Sequence, residues 1–209
     1  MLYNRKKQFD FIIPEERILI LKKNVVVYCG SRYGNNPAFA AFAGMTGEFL
    51  GKNGYTLIYG GGSIGLMGTI ADAAMAAGGH VTGIIPDVFI EKEQAHRFIT
   101  ELIEVPDLTA RKQKMISLGD LFLILPGGIG TLEELADTAS YLHIYKEDEE
   151  RPPVIIANIE HLYDPLESLF KSWSTAEFIV PEEWKNIHFI HSFAELIPFF
   201  PGTRERKFL

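Results

Sequence analysis

Short apolar segments alternate along the chain with stretches of helical periodicity, and this alternation limits the possible folds more than any other feature. The segment NVVVYC at 24–29 is continuous, rich in β-branched residues and followed by Gly30, as is typical of a strand buried on both faces. Similar segments follow at 56–60, 80–86, 100–105, 121–125, 152–158 and 187–190. The sequence therefore predicts an α/β fold with a doubly wound, mostly parallel sheet and helices on both of its faces.

The intervals between these segments carry the signals expected of helix ends. A helix is predicted from Pro37 to near Gly51 or Gly54, because proline suits the first helical turn and glycine ends helices. Other helices are expected at 65–79, 109–119, from Thr131 to about Lys146, 164–178 and 192–200. We find no linker, low-complexity run or repeat, so we predict one domain over 1–209, with 1–20 as a candidate N-terminal arm.

Composition excludes several classes of partner. The 209 residues carry a net charge of −7, which disfavours binding of a nucleic-acid polymer through the overall field but leaves room for a local phosphate site. The single cysteine, Cys29, excludes an internal disulfide and favours a reducing, cytoplasmic setting. The N-terminus has no continuous apolar segment like that of a signal peptide, and no apolar run is long enough for a membrane span, so we expect no membrane partner.

Three glycine-rich or polar turns follow predicted strands, at 29–37, 60–68 and 126–131. In open parallel sheets ligands bind at the carboxyl ends of the strands, and glycine lets backbone N–H groups approach an anion at a helix N-terminus. Any one such turn is explained equally well by tight packing between a strand and a helix. Three turns at one sheet edge favour a pocket for a nucleotide or sugar phosphate.

The type of phosphate ligand is less constrained by these turns. Gly60-x-Gly62-x-x-Gly65 matches a dinucleotide fingerprint, but the nearest candidate for the ribose-binding acid is Asp87, directly after Pro86. Leu66 follows Gly65 where a P-loop needs lysine, so a nucleoside triphosphatase is disfavoured. No histidines or cysteines have zinc spacing, and we expect neither a metal nor a redox cofactor.

Two charged groups near these turns have more than one interpretation. Thr131 and Glu134 have the spacing of a helix capping box, which Ser192 and Glu195 repeat far from any predicted pocket. Capping alone could therefore explain Glu134, although a carboxylate at this point can also face the pocket. Arg111-Lys112 opens a predicted helix, where cations oppose the helix dipole; this conflict favours a site, and a solvated helix face is the alternative.

Taken together, five motifs resemble one family. They are YCGSRYGNNP, YGGGSIGLMG, EQAH, Arg111-Lys112 and PGGIGTLEE, in this order within 24–170. The chain resembles the LONELY GUY (LOG) family of cytokinin riboside 5′-monophosphate phosphoribohydrolases, many of whose relatives carry the old label lysine decarboxylase. The resemblance implies a Rossmann-like fold, a homodimer or a multiple of dimers, and hydrolysis of nucleoside 5′-monophosphates to free base and ribose 5-phosphate.

The same resemblance assigns candidate site residues. Arg111 and Glu134 take the catalytic positions, with Glu134 acting on the sugar and water, and Arg111 on orientation and the leaving group. The implied substrate-binding residues are Ser31, Gly61, Gly62, Ser63, Gly65, Glu93, Lys112, Gly127, Gly128, Gly130, Thr131 and Ser140. Departures from the family occur at Leu108-Thr109-Ala110, where it usually has Met-His-x, and along 140–145, near its base end, so the base preference is open.

Two other functional classes remain open from the sequence. A protein of this fold could bind a nucleotide or phosphorylated cofactor without cleaving it, as a carrier or sensor, although the retained Arg111 and Glu134 favour an enzyme. A nicotinamide-dependent oxidoreductase is supported only by the glycine match. Lysine decarboxylation has no support, because no lysine is singled out as a Schiff-base former.

Overall fold

A seven-stranded parallel sheet covered by helices forms the described part of the protein. The computed structural model describes residues 24–90 and 95–200. Its strands are β1 (Asn24–Tyr28), β2 (Thr56–Tyr59), β3 (His80–Pro86), β4 (Glu101–Val105), β5 (Leu121–Ile124), β6 (Val154–Ala157) and β7 (Ile187–Ile190). Every pairing between them is parallel, which confirms the predicted Rossmann-like α/β class.

Five of the six described helices connect successive strands, and the sixth follows β7. They are α1 (Pro37–Lys52), α2 (Gly65–Ala76), α3 (Leu108–Leu118), α4 (Ile129–Tyr145), α5 (Asp164–Thr175) and α6 (Phe193–Leu196). Short 3₁₀ turns lie at Asp87–Phe89, Asp148–Glu150, Ile159–His161, Pro181–Trp184 and Ile197–Phe199. Over the described ranges, no helix is both long and apolar enough to cross a membrane.

The order of the strands creates a crevice in the middle of the sheet. The spatial order is β4-β3-β2-β1-β5-β6-β7, so the chain builds outwards from β1, returns to β5 beside it and then builds the other way. Val26 of β1 lies between Ile58 of β2 and Phe122 of β5. The connections after β1 and β5 leave in opposite directions, and ligands of such sheets bind in the crevice between them.

Side chains of alternate strand residues enter two separate cores. Val25 and Val27 of β1 face the helices α1, α2 and α6, together with Leu123 of β5. Val26 and Tyr28 face α3, α4 and the start of α5, and Tyr28 stacks on Phe122 at 6.3 Å between ring centroids. The central strands β1, β2, β5 and β6 are therefore buried on both faces, as their continuous apolar sequences predict, whereas the edge strands β4 and β7 are only partly buried.

The ends of several helices differ from the prediction. The helix α4 begins at Ile129 with Gly128 as its N-cap, so the predicted capping box of Thr131 and Glu134 is wrong. Thr131 instead lies inside the helix and packs against Gly127, and its side chain is buried. The same pattern at Ser192 does cap: its hydroxyl accepts from the Glu195 N–H at the start of α6.

The other differences are smaller. Tyr163 rather than Asp164 is the N-cap of α5, because Asp164 already has helical geometry and accepts a hydrogen bond from Asn158. The α5 helix ends at Thr175, and α6 ends at Leu196 and continues as a 3₁₀ turn. The candidate arm at 1–20 lies outside the described residues.

Close packing of α1 on α2 gives a test of the fold. A Cβ atom on Gly47 would lie 2.3 Å from the carbonyl oxygen of Ile70, whereas one on Gly44 would meet only the Thr69 Cγ2 atom at 3.8 Å. Gly47→Ala should therefore lower the free energy of unfolding by about 1–3 kcal/mol through overpacking. Gly44→Ala should raise it by up to about 1 kcal/mol through better helix propensity. Urea denaturation measures both; equal effects of the two substitutions would contradict this packing.

Candidate functional site

A pocket of about 560 Å³ occupies the crevice at the carboxyl ends of β1, β2 and β5. This volume is ordinary for a small-molecule site. Three segments form most of the wall: residues 28–35 after β1, Gly60 after β2 and residues 126–131 after β5. They are joined by backbone hydrogen bonds, since the Gly30 N–H donates to the Pro126 carbonyl and the Leu66 N–H donates to the Gly30 carbonyl.

A nearly buried ion pair lies in this pocket. The Asp107 carboxylate caps α3 by accepting from the Ala110 N–H at 2.8 Å, which places Arg111 one turn into the helix. From there the Arg111 Nη2 atom reaches Glu134 Oε1 of α4 at 3.2 Å, and the two side chains are only 12% and 10% exposed. The residues that the sequence predicts as catalytic are thus brought together from two helices at the pocket.

The turn before α4 leaves the start of this helix open. A Cβ atom on Gly127 would lie 2.1 Å from Thr131 Oγ1, so glycine is required there by packing. Cβ atoms on Gly128 and Gly130 would meet nothing within 4 Å, so packing does not require glycine at either position. The N-cap residue Gly128 supplies no side-chain hydrogen bond to the first turn of α4, and the N–H groups and dipole at such a helix start can bind an anion.

The floor of the pocket is neutral. Tyr28 is buried, and its hydroxyl shares a 2.9 Å hydrogen bond with Thr138 Oγ1 one turn after Glu134. Burial raises the pKa of the Tyr28 hydroxyl well above its usual range, and it raises the pKa of the buried Cys29 thiol in the same way. Neither group can act as a base or a thiolate nucleophile near neutral pH.

Close packing explains several glycines of the turn after β2. Gly60 lines the pocket, and a Cβ atom there would lie 3.5 Å from the Nη1 atom of Arg111. Behind it, Gly61 has a φ of +79° and its carbonyl accepts from the His96 N–H, while Gly62 forms a bridge with Ala95. A Cβ atom on Gly65 would lie 2.3 Å from the Ser31 backbone. This turn therefore supports the loop after β1.

The remaining predicted site residues are placed as follows. Five of these residues line the pocket: Ser31, Gly127, Gly128, Gly130 and Thr131. Six others are not among its lining residues: Gly61, Gly62, Ser63, Gly65, Lys112 and Ser140. Ser140 is exposed further along α4. Glu93 lies outside the described residues.

Lys112 has partners on the outer face of α4. Its ammonium group lies 2.7 Å from the Asp137 carboxylate and 2.6 Å from the Glu133 carboxylate. The hydrogen bond to Asp137, and to a smaller extent the one to Glu133, raises the pKa of Lys112. Lys112 thus connects α3 to α4 beside the Arg111–Glu134 pair.

Several lining residues were not predicted from the sequence. Gly60 could have been found, since it directly follows β2 at the ligand-binding edge. Arg32 and Tyr33 lie in the motif YCGSRYGNNP and Met67 lies in YGGGSIGLMG, although none of the three was named as a site residue. Leu162 lies in no motif and is brought to the pocket only because β6 lies beside β5. In the parts of the chain that the structure describes, no group of three or more histidine, cysteine or carboxylate residues could bind a metal ion.

The fold and the pocket define a class: a Rossmann-like α/β protein with a buried acid–cation pair next to an open helix N-terminus at the switch point of the sheet. Comparisons with known proteins agree with this class. The family described as "Possible lysine decarboxylase" matches residues 67–199. A cytokinin riboside 5′-monophosphate phosphoribohydrolase of Rhodococcoides fascians is 38% identical over 160 residues, which cover 76% of this chain and 79% of the relative.

A plant relative gives the same result. A cytokinin riboside 5′-monophosphate phosphoribohydrolase of Arabidopsis thaliana is 37% identical, over 76% of this chain and 73% of the relative. The chain belongs to the LOG family, which is the family that its motifs resemble.

Solved structures support the fold alone. The molybdenum cofactor carrier protein of Chlamydomonas reinhardtii superposes with a TM-score of 0.63 at 19% identity, covering 85% of this chain and 94% of the carrier. The molybdenum cofactor binding protein of Rippkaea orientalis gives 0.62 at 20% identity, covering 85% and 97%.

The two neighbouring cations of α3 give a test of the site. Arg111→Met leaves the Glu134 carboxylate nearly buried without its cation, so we expect a loss of about 3 kcal/mol in unfolding free energy. Lys112→Met removes pairs whose acids are about half exposed, at 54% and 47%, so we expect a loss of at most about 1 kcal/mol. Urea denaturation near neutral pH measures both. A larger loss for Lys112→Met would contradict the burial of the Arg111 pair.

Proposed function

We propose that this protein hydrolyses the N-glycosidic bond of nucleoside 5′-monophosphates, releasing the free base and ribose 5-phosphate. The observation that carries the proposal is the Arg111–Glu134 pair, placed in one pocket with the open N-terminus of α4. This reaction needs three groups: a carboxylate for the sugar, a cation for the leaving base and an anion site for the phosphate. The names of the relatives indicate the same chemistry.

The phosphate is proposed to bind at the start of α4. Gly128 and Gly130 leave open space there, and backbone N–H groups at a helix N-terminus bind anions without basic side chains. The glycine-rich turn after β2, whose residues 61–65 the family resemblance assigns to substrate binding, contributes Gly60 to the lining of this pocket. The proposed substrates are AMP and cytokinin riboside 5′-monophosphates, the latter named for the relatives.

Cleavage of the glycosidic bond passes through an oxocarbenium-like state with positive charge on the sugar. The Glu134 carboxylate stabilises this charge and accepts a proton from the attacking water. The water oxygen bonds to C1′ while the C1′–N bond breaks and its electron pair leaves with the base. The base takes up a proton from solvent, and Glu134 returns its proton to solvent. Arg111 orients Glu134 and stabilises negative charge on the leaving base. No metal or redox group is needed for these steps.

The proposal extends to assembly and location. We infer a homodimer formed through the outer faces of α3 and α4. Tyr141, Ile144 and Tyr145 of α4 are exposed there, and Gln113 and Ile116 of α3 line a groove together with Tyr141 and Tyr145. Exposed apolar groups of this kind are typical of interfaces between subunits. The buried thiol of Cys29 suits a reducing compartment, so a cytoplasmic location is part of the proposal.

Glu134→Gln tests the catalytic assignment. The amide keeps the size of the side chain and a hydrogen-bond acceptor but cannot carry the charge or take the proton, so release of adenine from AMP should fall by at least about a hundredfold. Chromatography of free base measures this rate, and calorimetry should show that AMP still binds. Full hydrolysis by Glu134→Gln would refute the role of Glu134. Tight binding of AMP by the unaltered protein without release of base would support a carrier instead.

Gly130→Ala tests the phosphate site separately. The added methyl group has free space and improves helix propensity, so the protein should be at least as stable as before. If phosphate occupies that space, the affinity for ribose 5-phosphate should fall by about tenfold or more, which corresponds to about 1.4 kcal/mol. Gly44→Ala, on α1, is the matched control and should keep full affinity. Unchanged affinity in Gly130→Ala would place the phosphate elsewhere.

A further inference from the structure

The turn between β6 and α5 has an unfavourable backbone. Glu160 and His161 have φ values of 53° and 59°, so two consecutive residues other than glycine adopt the left-handed conformation. Such conformations persist only where the surrounding structure imposes them, and they concentrate at functional sites. This turn lies at the edge of the pocket, which Leu162 lines.

A buried amide imposes the conformation of the turn. Asn158 is 1% exposed and directly follows β6. Its Oδ1 atom accepts from the Tyr163 N–H at 2.7 Å, and its Nδ2 atom donates to Asp164 Oδ1 at 2.7 Å. The two hydrogen bonds fix the start of α5 and the position of Tyr163 relative to the sheet.

Tyr163 in turn contacts the segment before α4. Its hydroxyl donates to the Leu125 carbonyl at 2.8 Å, and the Gly127 amide interacts with the same oxygen. Burial raises the pKa of this hydroxyl well above its usual range, so it remains a neutral donor. One phenolic oxygen thus contacts both sides of Pro126. Tyr163 itself is not among the lining residues of the pocket.

We propose that Tyr163 is a positioning residue: its hydroxyl fixes the Leu125–Gly127 segment so that the N-terminus of α4 is directed at the substrate phosphate. The strained turn at Glu160–His161 is the means by which the chain brings this hydroxyl across from the neighbouring strand. The inference rests on the proposed function for the identity of the ligand. The inference adds Tyr163 to the residues that determine phosphate binding. Tyr163 acts by positioning the Leu125–Gly127 segment and does not contact the phosphate.

Tyr163→Phe in the full chain tests the inference. The ring and its packing remain while the hydroxyl is lost, so the affinity for ribose 5-phosphate should fall by about tenfold. Calorimetry measures this affinity, and the affinity for free adenine should stay within about twofold of its original value. With AMP as substrate, KM should rise by a similar factor to the loss of affinity while kcat changes much less, because the hydroxyl touches no reacting atom.

Tyr55→Phe is the matched control, since it removes a hydroxyl from the opposite core and should leave both affinities unchanged. If Tyr163→Phe does not fold by circular dichroism, Asn158→Ala provides the same test, because it frees Tyr163 while keeping the hydroxyl. Unchanged affinity for ribose 5-phosphate in a folded variant would overturn the inference. An equal loss for adenine would also overturn it, because it would indicate general damage to the pocket.

The outcome separates this inference from the proposed function. Selective loss of ribose 5-phosphate affinity, in a protein that releases no base from AMP, would support the role of Tyr163 and refute hydrolysis. Release of base from AMP by the unaltered protein, together with unchanged affinity for ribose 5-phosphate in Tyr163→Phe, would support hydrolysis and refute the role of Tyr163.

Discussion

The reversal of strand order between β1 and β5 is the constraint on which the site depends. These neighbouring strands send their connections to opposite sides of the sheet, which leaves a crevice above their carboxyl ends. The sheet interior is apolar on both faces, and polar groups can therefore meet only at its ends. Backbone hydrogen bonds from Gly30 to Pro126 and from Leu66 to Gly30 join the loops around this crevice.

The Arg111–Glu134 pair is better explained by chemistry than by stability. Burying two charges costs several kcal/mol per ion before their attraction is counted, so apolar side chains would stabilise α3 against α4 at least as well. Lys112 already connects these helices through acids at the surface. A second, buried pair beside an open helix N-terminus is expected where the charges are needed for a ligand.

The fold could be predicted in detail because its signals are local. Continuous apolar runs marked the central strands β1, β5 and β6, and Pro37 and Gly119 marked helix ends that the structure confirms. The capping box could not be judged locally: Ser192 and Thr131 start the same pattern, yet Gly128 and Gly130 let α4 begin earlier and move Thr131 inside the helix. Leu162 and Tyr163 carried no signal, because their place near the pocket depends on the order of the strands.

The most direct test of the account is a crystal structure of Glu134→Gln with AMP bound. The account predicts the phosphate at the start of α4, with its oxygens roughly 3 Å from the backbone nitrogens of the Gly128–Gly130 segment. It also predicts C1′ of the ribose next to the side chain at position 134 and the base near Arg111. A phosphate at the N-terminus of α2, or a ribose distant from position 134, would contradict it.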